Sequence, residues 1–137
     1  ILMKESTADK KGIKPLARIV AHATNSHEPN WFTTAPIGAI SKVLEKSGWK
    51  KTDVDLLEVN EAFAVVPMAV MKELSITKDI LNINGGACAL GHPVGASGSR
   101  IVSTLINNLK NRNLKKGIAS LCIGGGEATA MSLELIH

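Results

Sequence analysis

Tyrosine is absent from this 137-residue chain, and its aromatics reduce to Trp31, Phe32, Trp49 and Phe63. Its hydrophobic residues are therefore aliphatic, and base-stacking platforms of the kind nucleic-acid grooves use are missing. Cysteine is scarce as well, with only Cys88 and Cys122. Two such residues make no secreted disulfide framework, and neither has a Cys-x-x-Cys or metal-ligand spacing. A reducing, cytoplasmic setting and no metal site are expected. No apolar run approaches the roughly 20 residues of a membrane-spanning helix, and no signal-peptide pattern opens the chain. No membrane association is therefore expected. Two nucleotide fingerprints are missing too. No Gly-x-Gly-x-x-Gly occurs, and although Gly86 to Gly91 has P-loop spacing, His92-Pro93 stands where Lys-Ser/Thr is required.

What is present fits one globular domain: hydrophobic residues make up 45% and charged residues 20% of the chain. The net charge of +4 is mild. Its lysines are spread over Lys10, Lys11, Lys14, Lys42, Lys46, Lys50 and Lys51, with a second group at Lys110, Arg112, Lys115 and Lys116. Without interleaved aromatics these read as solvated faces, compatible with a polyanionic ligand but not with a nucleic-acid partner.

The densest punctuation lies between Asn82 and Arg100. Five of the twelve glycines, Gly85, Gly86, Gly91, Gly95 and Gly98, fall there, with Cys88 and His92. Glycine serves where the backbone needs positive φ or close approach. Pro93 biases His92 away from helix. After Gly98, Ile101, Val102, Leu105, Ile106 and Leu109 recur at helical spacing. A glycine-lined loop that presents a histidine and feeds a helix is expected.

Along the chain, Ile1 to Lys4 reads as a strand end and Glu5 to Gly12 as a short helix. Nothing upstream pairs with such a strand, which suggests a piece of a longer protein. Strands are expected over Leu16–Thr24, Val54–Val59, Leu81–Ile83, Gly117–Ile123 and Ala128–Ile136. Helices are expected from the Pro36 turn to Gly48, from Asn60-Glu61 to Leu74 with a kink or late start at Pro67, and from Ser97 to Asn111. Gly124-Gly125-Gly126 turns the last two strands into a hairpin. The order β-α-β-α-β-α-β-β predicts an α/β fold of three layers, α/β/α. Its sheet should be mixed and five-stranded, mostly parallel with a final antiparallel strand.

In parallel α/β sheets, ligands gather at the carboxyl ends of strands. Asn60, His92 and Cys122 all fall there. A thiol followed by bare glycine N–H groups can serve acid-base or nucleophilic chemistry beside an oxyanion site. Each residue also has a plain structural reading: Asn60 as a helix N-cap, Cys122 as a small core residue, His92 as a turn histidine. Cys88, flanked by alanines, reads as structural, and His22 and His27 as bystanders.

Three stretches together carry a resemblance. Asn60-Glu61-Ala62-Phe63, then Asn84-Gly85-Gly86 through Gly91-His92-Pro93 to Gly95-Ala96-Ser97-Gly98, then Cys122-Ile123-Gly124-Gly125-Gly126, resemble the C-terminal signature motifs of thiolases in order and separation. The resemblance implies that residues 1–13 end a preceding N-terminal thiolase domain or linker, and that residues 14–137 form the C-terminal domain. It implies an acyltransferase acting on coenzyme A thioesters as substrate, without a cofactor, whose acyl-carrying cysteine lies in the other half. His92 would activate that cysteine. Asn60 would hold an oxyanion-hole water, and Cys122 would move the α-carbon proton. The Gly124 N–H would contribute to a second oxyanion hole, and Phe63 would line the acyl pocket. An N-terminal half and a homo-oligomer, dimer or tetramer, are the implied partners. Two departures stand out: Cys88 replaces an aliphatic residue, and Phe32-Thr33-Thr34-Ala35 replaces a more glycine-rich turn near the pantetheine tunnel. The competing expectation is a non-catalytic thiolase-fold module that binds coenzyme A or acyl groups.

Overall fold

The computed structural model describes residues 1–136. Its elements are helix α1 (Glu5–Lys11), strand β1 (Ala17–Ser26), helix α2 (Ala35–Ser47), strand β2 (Leu56–Val59) and helix α3 (Val65–Leu74). A short helix α4 (Ala87–Leu90), helix α5 (Val94–Asn111), strand β3 (Lys116–Ile123) and strand β4 (Glu127–Leu135) follow. Single 3-10 turns at Pro29–Thr34 and Lys51–Asp53 join the early elements. Among the described residues no helix is long and apolar enough to cross a membrane.

The helix ends follow from local chemistry. Pro36 occupies the first turn of α2, where its missing N–H costs nothing. Gly48 closes that helix at φ 66, and Trp49 N–H reaches back to the Leu44 carbonyl at 3.0 Å. The third helix starts late: Val65 is its first residue, which places Pro67 among the donors that have no intrahelical partner anyway. Asn60 therefore does not cap a helix. Its N–H donates to the Ser120 carbonyl at 2.9 Å and extends the pairing of β2 with β3.

The sheet runs in the order β1-β4-β3-β2. The β2–β3 ladder is parallel, and β4 pairs antiparallel with both β3 and β1. Thus β1, β2 and β3 point one way and β4 the other, as the order predicts. However, β4 lies inside the sheet rather than at its edge, so most of the pairing is antiparallel. The hairpin after β3 returns β4 into the space beside β3, and β1 closes the outer side.

Two expected strands are corrected. Ile1 to Lys4 belongs to no strand, because no described residue offers it a ladder. The five-stranded sheet has four strands, since Leu81–Ile83 shrinks to one parallel bridge, Leu81 to Leu57. The cause is Asn82. Its backbone sits at φ 49, which ends the extended run, while its side-chain amide takes over the pairing. Asn82 Oδ1 accepts from Val59 N–H, and Nδ2 donates to the Val59 carbonyl, both at 2.8 Å.

The core has two halves, one on each face. Ile118 and Cys122 of β3 pack with Leu57, Val59, Ala128 and Ala130 against Ile40, Val43, Val66 and Val70 of α2 and α3. On the opposite face, Ala119 of β3 packs with Leu56, Leu133 and Leu135 against Ile101, Leu105 and Leu109 of α5. Alternation along β3 and β4 produces this division, and the result is the expected α/β/α sandwich.

Candidate active site

Asn60 and His92 approach each other because the chain leaves β2 and returns through the glycine loop at one end of the sheet, the end at which the parallel strand β3 also finishes. Asn60 leaves the end of β2 fully buried, with its backbone still bonded to β3. Glu61 then ties down the glycine loop. Its Oε1 accepts from Asn82 Nδ2 at 2.9 Å and its Oε2 from Cys88 N–H at 3.0 Å. A Cβ at Gly86 would lie 2.6 Å from the same carboxyl carbon, so a larger residue there would push the Glu61 carboxylate out of these two bonds.

The loop then delivers His92, half-buried, beside Asn60. Asn60 Nδ2 lies 3.4 Å from both ring nitrogens, so the amide faces the Nδ1–Nε2 edge. Ser97 Oγ donates to the Pro93 carbonyl at 3.1 Å, which leaves its oxygen free to accept from His92 Nδ1–H at 2.6 Å. The neutral ring consequently keeps its lone pair on Nε2, the nitrogen available as a base.

Behind this pair runs a buried polar chain that sequence reasoning missed. Arg100 Nη2 donates to Asn60 Oδ1 at 3.4 Å, while Nη1 lies 3.8 Å from Glu58 Oε2 and has no hydrogen-bond partner. Asn108 Nδ2 donates to Glu58 Oε1 at 3.1 Å, and Asn84 Nδ2 to Asn108 Oδ1 at 2.6 Å. Burial pushes the Glu58 carboxyl up to about 7, against the pull of Arg100 and of the Asn108 hydrogen bond. One signal was available: an acidic residue inside the apolar run Leu56-Leu57-Glu58-Val59 needs a partner.

Cys122 is buried near the end of β3, and burial pushes its thiol up. Among the described residues, no hydrogen bond joins that thiol to Asn60 or His92. Its resting form is the thiol, suited to giving a proton to a carbanion and, once ionised, to taking one strongly. Gly124, two residues on, is exposed in the turn, with open space where a Cβ would be. Gly126 fills a different need: at φ 90, its Cβ would meet the His27 carbonyl, whose own residue donates its N–H to Gly126 O at 2.9 Å. Phe63 is 57% exposed and meets Phe32 edge to face, with ring centroids 6.0 Å apart. Cys88, read as structural, proves exposed rather than part of the core. A groove of about 1070 Å³ between α2 and α3, walled by Ile37, Val65, Met68 and Met71, contains none of Asn60, His92, Arg100, Glu58 and Cys122. The candidate site therefore rests on the meeting of polar and titratable groups rather than on that hollow. The described residues hold no cluster of three His, Cys, Asp or Glu side chains able to hold a metal ion.

A histidine, an asparagine and a thiol thus fall at one end of a mixed α/β sandwich. The chain belongs to the thiolase family: residues 13–135 match the family model described as thiolase, C-terminal domain. The acetyl-CoA acetyltransferase of Shinella zoogloeoides is 52% identical over 134 residues, covering 98% of this chain and 34% of that protein. The crystal structure of the Bacillus anthracis acetyl-CoA acetyltransferase superposes with TM-score 0.95 at 48% identity, covering 98% of this chain and 34% of that one. Human mitochondrial 3-ketoacyl-CoA thiolase, in complex with CoA, gives TM-score 0.94 at 42% identity over 97% of this chain and 34% of its own. The chain thus spans about a third of the length of the relatives it matches.

Proposed function

We propose that this chain supplies the C-terminal part of an acetyl-CoA C-acetyltransferase. That enzyme would condense two acetyl-CoA molecules to acetoacetyl-CoA, or cleave a 3-ketoacyl-CoA with free coenzyme A. The single observation that carries the reading is the contact of Asn60 with His92, whose Nε2 keeps its lone pair. In the cleavage direction, a cysteine outside these residues attacks the 3-keto carbon, and His92 takes its thiol proton. The carbon–carbon bond breaks, the acyl group stays on that sulfur, and the carbanion of the departing acetyl-CoA takes the Cys122 proton. The proton on His92 then passes to ionised Cys122, which restores both groups. Neutral His92 deprotonates coenzyme A, whose thiolate takes the acyl group, and the released cysteine thiolate takes the proton back from His92. Condensation runs these steps backwards, with ionised Cys122 as the α-carbon base. Asn60 would orient a water toward the developing oxyanion, and Gly124 N–H would face the other. Phe63 would border the acyl group. Coenzyme A thioesters are the substrates, and no cofactor is needed. The N-terminal half of the enzyme and further copies of it are the expected partners. Unpaired cysteines suit a cytoplasmic location.

The test uses the full-length polypeptide that carries this chain, with acetyl transfer and covalent mass followed together. Cys122→Ala should lose condensation yet still form an acyl-enzyme. His92→Ala should lose both half-reactions while its unfolding midpoint stays near wild type, since the ring is half-exposed. Near-normal condensation by Cys122→Ala removes that thiol from the mechanism. Binding of coenzyme A without any acyl-enzyme in the unmodified protein would instead support a non-catalytic module.

A further inference from the structure

An asparagine side chain can be turned end for end at little steric cost, so its neighbours decide which end faces a site. Asn60 is fully buried, and its Oδ1 lies 3.4 Å from Arg100 Nη2. A guanidinium carries donors only. The reversed amide would set its NH2 group against those donors and present its carbonyl oxygen toward His92. The observed orientation presents the NH2 group there, 3.4 Å from each ring nitrogen. A donor is what a water or developing oxyanion beside His92 requires, and an acceptor in the same place would repel it.

Arg100 is itself held. Its Nη1 is buried 3.8 Å from Glu58 Oε2, and the Glu58 side chain is only 3% exposed. Asn108, two turns further along the same helix, bonds to the other carboxyl oxygen at 3.1 Å. We propose that Arg100, seated against the Glu58 carboxyl, is a positioning residue that locks the Asn60 amide with its oxygen inward and its NH2 group toward His92. The assignment rests on the reading of Asn60 and His92 given above and deepens it. Arg100 touches no reacting atom and acts only through Asn60.

That indirect action sets the experiment: a double-mutant cycle in the full-length polypeptide, with thiolysis of acetoacetyl-CoA as the readout. Arg100→Met should lower kcat by about 10- to 100-fold, less than the roughly 100- to 1000-fold that outright loss of an oxyanion donor causes, because the Asn60 amide is still present but no longer held. KM should stay within about 2-fold, because the interaction matters mainly in the transition state. Placed on an Asn60→Ala background, the same change should cause no further loss. Arg100→Lys takes its place in the cycle if Arg100→Met does not fold. Losses that multiply in the double variant, or a wild-type kcat for Arg100→Met, overturn the assignment and leave the thiolase reading standing. An unmodified protein with no turnover overturns the thiolase reading, and the assignment falls with it.

Discussion

The carboxyl of Glu58 lies 3.8 Å from Arg100 Nη1 and accepts one hydrogen bond from Asn108, yet its pKa is pushed up to about 7. Desolvation outweighs the cation because Arg100 approaches without a hydrogen bond, so the attraction repays only part of the cost of leaving water. The consequence for stability has a definite sign. In the folded protein Glu58 keeps its proton up to about pH 7, whereas the unfolded chain releases it near 4.5. Its contribution to stability is therefore fully present below about 4.5 and is lost as pH rises to about 7. A tenfold change in proton affinity is worth about 1.4 kcal/mol, so the loss is on the order of 3 kcal/mol. Chemical denaturation of wild type and Glu58→Gln at about pH 5 and about pH 8 should show wild type losing stability relative to the variant at the higher pH. An unchanged difference between the two would mean that the carboxyl does not titrate as described.

Elements in this fold end where a side chain imitates the backbone. Asn82 bonds to both the N–H and the carbonyl of Val59 and also donates to Glu61, so one amide ends a would-be strand and starts the glycine loop. Three hydrogen bonds at about 1 kcal/mol each, plus about 1–2 kcal/mol for placing alanine at positive φ, predict that Asn82→Ala destabilises by about 4–5 kcal/mol. Urea unfolding of the 137-residue chain measures this; a change below about 1 kcal/mol would show that the amide is not structural. Hydrogen exchange at Cys88 N–H should also quicken, since the Glu61 carboxylate that accepts from it loses its second anchor. Leu105, fully buried under β3, reports on the opposite face. There, Leu105→Ala should cost about 2–5 kcal/mol without altering the loop.

At the scale of the whole molecule, large apolar side chains stay on the surface. Phe63, Leu90, Val94 and Ile123, each within three residues of Asn60, His92 or Cys122 in the chain, are exposed, and so are Val65 and Met68 of the groove between α2 and α3. The two thiols are poor candidates for the acyl carrier: Cys122 is buried, and desolvation together with the Glu61 carboxylate pushes the Cys88 thiol up, away from the nucleophilic thiolate. The 137-residue chain alone should therefore show neither turnover nor a stable acyl adduct with acetyl-CoA, and should self-associate at high concentration. Mass spectrometry and light scattering check the two halves of this expectation. A stable adduct on Cys122 would overturn the division of labour.

The helix stops at Gly12 and Gly48, the last hairpin, and the meeting of Asn60 with His92 at the end of β2 were legible in the linear chain. Each rests on local chemistry or on the period of apolar residues, which act between near neighbours. The late start of α3 was half legible, because Pro67 admits either a kink or a delayed first turn. Tertiary structure alone decided the rest. The placement of β4 between β1 and β3, the reduction of the Leu81 segment to one bridge, and the chain Asn84–Asn108–Glu58–Arg100–Asn60 depend on residues far apart in sequence, as Ala17 is from Leu135 and Glu58 from Asn108. A buried polar group needs a partner, but which partner it finds is set by the packing of helix on sheet, and no local pattern encodes that.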